Sequence, residues 1–133
     1  MEGSVKELSK YRFEKAQKNM ELANTLLKDE QYEFALNRAY YALFDGLRAV
    51  NALDGFDSSK HSGVISHFNQ YHVKTGEFDS SVSSVIRGAA RLRERSDYED
   101  FYEPDQEEAK ETVDGVRELL GIVNVYLRTK GIV

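Results

Sequence analysis

The run Arg91-Leu92-Arg93-Glu94-Arg95-Ser96-Asp97-Tyr98-Glu99-Asp100-Phe101-Tyr102 concentrates three arginines, an Asp–Tyr pair and a second tyrosine in an otherwise acidic chain. Guanidinium groups present a planar fork of N–H donors that suits carboxylate and phosphate oxygens. A carboxylate or a phenol beside them could add acid–base chemistry. A second segment, Arg38-Ala39-Tyr40-Tyr41-Ala42, offers another arginine with aromatic neighbours. Outside these two segments the residues read as scaffold.

The elements that must position them are helices. Phe13, Ala16, Met20, Ala23 and Leu27 recur at three- and four-residue steps, which makes an apolar stripe along a first helix. Ser4 and Glu7 have capping-box spacing, so that helix is expected to start near Val5, and Lys28-Asp29-Glu30 marks its end. The spacing predicts a second helix over Tyr32 to Ala52. It is apolar around most of its circumference and is expected to be central. Ser58 or Ser59 could cap a third helix carrying Val64, Ile65, Phe68 and Tyr71, with Gly76 as a stop. Asp79 or Ser80 could cap a fourth, with Val82, Val85, Ile86, Ala89 and Leu92, followed by a loop from Asp97 to Glu103. Pro104 suits the first position of a last helix striped by Ala109, Val113, Val116, Leu120, Val123 and Leu127. No segment alternates with period two. The expected fold is all-α, an up-and-down bundle of about five helices, as a single domain over residues 1–133.

Some polar residues interrupt these apolar faces. Arg38, Tyr41, Asp45 and Arg48 form one stripe on the second helix. An Arg or Asp beside a core needs a partner. The stripe therefore either pairs internally, through an Arg–Asp contact or a helix–helix hydrogen bond, or faces a cleft or dimer interface. Arg93 shares a face with Ile86, Ala89 and Ala90, where small residues allow close approach, so it either points at a partner helix or site or snorkels at the bundle edge. Arg91 and Arg95 lie mostly on the opposite side. Asp97 can pair with Arg93 if the helix continues. Tyr98 and Tyr102 could simply pack their loop against the bundle.

Composition excludes several chemistries. The 133 residues contain no Cys, so disulfides, thiolate metal sites and Cys nucleophiles are absent. His61, His67 and His72 are six and five residues apart, not the three or four that align two ligands on one α-helical face, so no metal and no cofactor is expected. His61 could lie near an anion, or be a surface or capping histidine. The net charge of −5 argues against a broad nucleic-acid-binding face and restricts any RNA or nucleotide contact to a local basic patch. No apolar run approaches the ~20 residues of a membrane span and no signal pattern opens the chain, which fits a soluble cytoplasmic protein.

Three segments together resemble a small stand-alone prokaryotic HEPN-domain protein: Ala35-Leu36-Asn37-Arg38-Ala39-Tyr40-Tyr41-Ala42-Leu43-Phe44, Lys60-His61-Ser62-Gly63-Val64, and Leu92-Arg93-Glu94-Arg95-Ser96-Asp97-Tyr98. The resemblance implies a five-helix domain that forms a homodimer and is linked to nucleotides or RNA. Many relatives are metal-independent endoribonucleases, and some are toxins encoded beside a small nucleotidyltransferase antitoxin. It implies Arg38, Tyr41, Arg91 and Arg93 as nucleotide- or RNA-binding residues, and Arg93, Asp97 and Tyr98 as a catalytic set. Tyr98 and Tyr102 would form a partner or modification loop. The family's site has a His four to six residues after the Arg; here that place is held by Tyr98. A phenol, with an ordinary pKa of about 10, is a poor base at neutral pH. The expectation is a dimeric partner of a nucleotidyltransferase, with an Arg93 endoribonuclease or a structural dimerisation module as alternatives.

Overall fold

In the computed structural model the described residues are 2–133, with side chains from Ser4 onward. They form five α-helices: α1 Glu2–Lys28, α2 Tyr32–Ala52, α3 His61–Phe68, α4 Ser81–Tyr98 and α5 Gln106–Thr129. A π-helical turn, Asn69–Val73, continues α3 directly. No strand occurs among the described residues, so the all-α expectation holds. The second helix is central: 14 of its 21 residues are buried, and it packs on α1, α3, α4 and α5.

Alanines explain how closely α1 and α2 approach. Ala16 and Ala23 on α1 and Ala35, Ala39, Ala42 and Ala49 on α2 are all fully buried. The fit is close enough for the Ser9 hydroxyl to donate to the Ala49 carbonyl at 2.7 Å. α1 ends in a Schellman motif. Gln31 N–H bonds the Leu26 carbonyl and Glu30 N–H the Leu27 carbonyl, with Glu30 at φ 61.

Helix ends are where sequence and structure part. α1 begins at Glu2, not near Val5, so Ser4 lies inside the helix and the capping box expected there is not used. α3 is capped at Lys60. Ser58 instead tightens the preceding turn, its Oγ accepting from Lys60 N–H at 3.1 Å. A Cβ on Gly63 would come within 2.8 Å of that oxygen, so the first turn of α3 sits against the loop only because residue 63 has none. α4 runs through Asp97 and Tyr98, and the loop starts only at Glu99.

Pro104 precedes α5 instead of opening it. Asp105 is the N-cap, accepting from Glu108 N–H at 2.8 Å while the Glu108 carboxylate takes Asp105 N–H at 3.3 Å. Replacing Asp105 by Ala removes one half of this box. It should cost about 1 kcal/mol of unfolding free energy in a urea titration.

Candidate functional site

Three helices converge on Arg93. α2 supplies Tyr40 and Tyr41 on consecutive residues, and α4 lays the Arg93 guanidinium over both rings, 4.9 Å from the Tyr40 centroid and 5.7 Å from that of Tyr41. The Arg38 guanidinium lies 5.6 Å from the Tyr41 centroid, so Tyr41 contacts both cations. Arg38 and Arg93 line one cleft of about 290 Å³ with Asn37, Ser96 and Asp97. Asp97 follows Arg93 by one helical turn, its Oδ2 lying 3.3 Å from Arg93 Nε. That contact is too far off the N–H direction for a hydrogen bond, and Nε is buried without a hydrogen-bond partner. A buried donor left unpaired beside a carboxylate is one that a small shift of Asp97 can satisfy.

The histidine of this site comes from α3. His61 Nδ1 lies 3.3 Å from Arg93 Nη1 and 3.0 Å from the Tyr40 hydroxyl. Arginine can only donate, so Nδ1 must present its lone pair, which assigns the neutral Nε2–H tautomer. The ring also packs on Phe44 at 4.2 Å between centroids. Burial, reinforced by the Arg93 charge, holds the His61 pKa below its ordinary value. Burial pushes the Tyr40 hydroxyl up, against the opposing pull of Arg93. The arrangement is a cation beside a neutral imidazole, suited to holding a phosphate and accepting a proton next to it.

The lowered His61 pKa has a consequence for stability. Between its folded and unfolded pKa values the unfolded chain binds more protons, so stability rises with pH through that window. The contribution is complete above about pH 6.5 and is lost as pH falls below it. The difference in urea midpoint between wild type and His61→Gln should therefore shift against the wild type as pH drops from 7 toward 5. A difference that stays flat would sink this account of His61.

The remaining predicted residues lie elsewhere. Tyr98 is 79% exposed and borders a shallow hollow with Arg91, Glu94, Arg95 and Glu99, separate from the cleft of Arg93. Tyr102 is engaged in packing, its hydroxyl donating to Glu108 at 3.2 Å and its ring lying 4.1 Å under the Arg95 guanidinium. The α2 polar stripe divides. Asp45 is buried, accepts from Asn19 at 3.0 Å and has its pKa raised by burial. Arg48 pairs with Asp57, which also holds Arg12. The structure thus groups Arg38, Tyr41, Arg93 and Asp97, and leaves Arg91, Tyr98 and Tyr102 outside.

His61 is the residue that sequence reasoning undervalued. Its usable signal was the Lys60-His61-Ser62-Gly63 segment, since Gly63 permits the close turn that starts α3 at His61.

Comparison with known proteins shows the family. The HEPN domain family model matches residues 9–126. A Methanocaldococcus jannaschii protein named "putative toxin" is 33% identical over 119 residues, covering 90% of this chain and 81% of its own length. A second protein of that organism with the same designation is 32% identical over 98 residues, 74% of this chain and 72% of its own. A UPF0332 protein of Thermotoga maritima is 34% identical over 99 residues, covering 74% and 75% of the two chains. The match spans all the helices that build the Arg93 cleft, and the chain belongs to the HEPN domain family.

Proposed function

We propose that this chain is a toxin-like HEPN protein that binds RNA in the Arg38–Arg93 cleft and cleaves it without a metal ion. The observation that carries the reading is the contact between Arg93 and the neutral ring of His61. A docking phosphate draws the Arg93 guanidinium toward its oxygens, and the Tyr40 hydroxyl turns away from Nδ1, which together free its lone pair. His61 then takes the proton of a ribose 2′-hydroxyl, the 2′-oxygen attacks phosphorus, and the 5′-oxygen leaves with a proton from water. The products are a 2′,3′-cyclic phosphate and a 5′-hydroxyl end. Arg93, aided by Arg38, neutralises charge gathering on the phosphoryl oxygens. Tyr41 holds both cations, and Asp97 positions Arg93. The toxin designation of the two archaeal relatives supports this reading. The working unit is taken to be a cytoplasmic homodimer.

Purified protein in EDTA should cleave single-stranded RNA, and Arg93→Ala should abolish cleavage. Cleavage that survives in Arg93→Ala overturns the assignment.

A second reading rests on Tyr98 and Phe101, both exposed at the α4 end and the latter without any shielding. Such a pair suits a protein partner, here a nucleotidyltransferase antitoxin that would silence the toxin by docking on, or modifying, this loop. Tyr98→Phe would then cleave normally but escape silencing when the partner and ATP are added.

A further inference from the structure

At the far end of α3 from His61 lies a second histidine cluster. His67 Nε2 is 2.9 Å from Asp54 Oδ2, and His72 Nε2 is 2.6 Å from the same oxygen. The ligating atoms of all three residues lie within 4.8 Å of one another. Residues five apart diverge on an α-helix, so His67 and His72 should not share a face. They do because the chain switches to a π-turn after Phe68, with Lys74 N–H bonding the Asn69 carbonyl five residues back. The wider turn brings His72 round under His67. Such turns recur at functional sites.

The surroundings are those of a metal site. His72 is 3% exposed, and its Nδ1 is in close contact with the Glu77 carboxylate. That is the carboxylate–histidine arrangement which fixes a ligating ring and directs its Nε2 at an ion. His67 is stacked on Phe56 at 4.0 Å, which sets its plane. Phe68 and Phe78 pack beside His72 and give the cluster an apolar wall. Each nitrogen of the buried His72 ring therefore meets a carboxylate oxygen, Nδ1 that of Glu77 and Nε2 that of Asp54.

We propose that Asp54, His67 and His72 bind a divalent transition metal of the zinc type, with Glu77 as the positioning residue for His72. Two imidazole nitrogens and one carboxylate oxygen form a donor set zinc uses, with one position left for water. Tetrahedral zinc separates its N and O ligands by roughly 3.3 Å, so the contacts of Asp54 with His67 at 2.9 Å and with His72 at 2.6 Å both have to open, by less than an ångström. Asp54 faces a cleft of about 260 Å³, lined also by Lys6, Leu53, Tyr126, Lys130 and Ile132, which provides an entry path. Bound there, the ion ties the α2–α3 loop to α3 and so fixes the helix that carries His61.

The test uses the untagged full chain, stripped with EDTA and titrated with zinc or cobalt chloride alone. Expected are one ion per chain, a rise in unfolding temperature, and visible cobalt bands of tetrahedral type. Asp54→Asn and His67→Ala, on the accessible side of the cluster, should lose binding at least about a hundredfold, and Glu77→Gln about 10–100-fold. His72→Gln sits deeper and is read only if the variant folds. A folded wild type that takes up neither ion overturns the proposal, as does binding unchanged in both Asp54→Asn and His67→Ala. Metal uptake is read without RNA and cleavage is read without an ion, so either reading can fail while the other stands.

Discussion

His61→Ala is expected to lower RNA cleavage in EDTA by about 10²–10⁴-fold, the usual worth of a positioned general base, and to leave RNA binding within a few-fold of wild type. The asymmetry follows from geometry. His61 reaches the site through a single nitrogen, which touches Arg93 and Tyr40. It contributes a lone pair, not a charge, so its removal leaves the phosphate-binding cations in place. Arg93→Ala should instead lose both cleavage and binding, since in the proposed mechanism Arg93 is the charge that meets the phosphate.

Arg93→Lys is the informative intermediate. It keeps the charge but loses the planar fork that spans two tyrosine rings, and a loss of about 10²–10³-fold in rate is expected, comparable to removing one donor from an oxyanion site. Single-turnover cleavage and filter binding on the same RNA separate the two effects. Equal losses of cleavage in wild-type-like binders at Tyr98, with His61→Ala still active, would return the catalytic role to Tyr98.

The helices were legible because each carries its own apolar period, and for α2 both expected ends, Tyr32 and Ala52, are the observed ones. Ends set by competing local choices were not. Asp105 and Pro104 both suit the start of α5, and the reciprocal bonds with Glu108 decide for Asp105 as cap. Arg93 was legible because it follows small apolar residues on the face that approaches α2. His61 was harder to read, because its contact with Arg93 joins residues 32 positions apart through the packing of α3. The His67–His72 relation was hidden for another reason. A π-turn changes the period by which residues align, and no α-helical spacing rule registers it.

Leu47→Ala should destabilise the protein by about 2–5 kcal/mol, the range for deleting a buried leucine from a packed core. Leu47 is fully buried on α2, the helix that packs against the other four. Packed interiors hold few voids, so the truncation leaves a cavity and not a solvated dent. Measured by urea denaturation, this is a large part of the 5–15 kcal/mol that small domains have. Leu22→Ala is the control: Leu22 is 44% exposed on α1, and its loss should cost about 1 kcal/mol or less. Equal costs for the two would contradict the central place of α2. Because Tyr40, Tyr41 and Arg38 ride on the same helix, Leu47→Ala should also reduce the folded fraction that carries the cleft. Cleavage per folded molecule, however, should stay near wild type, which separates a defect of the scaffold from a defect of the site.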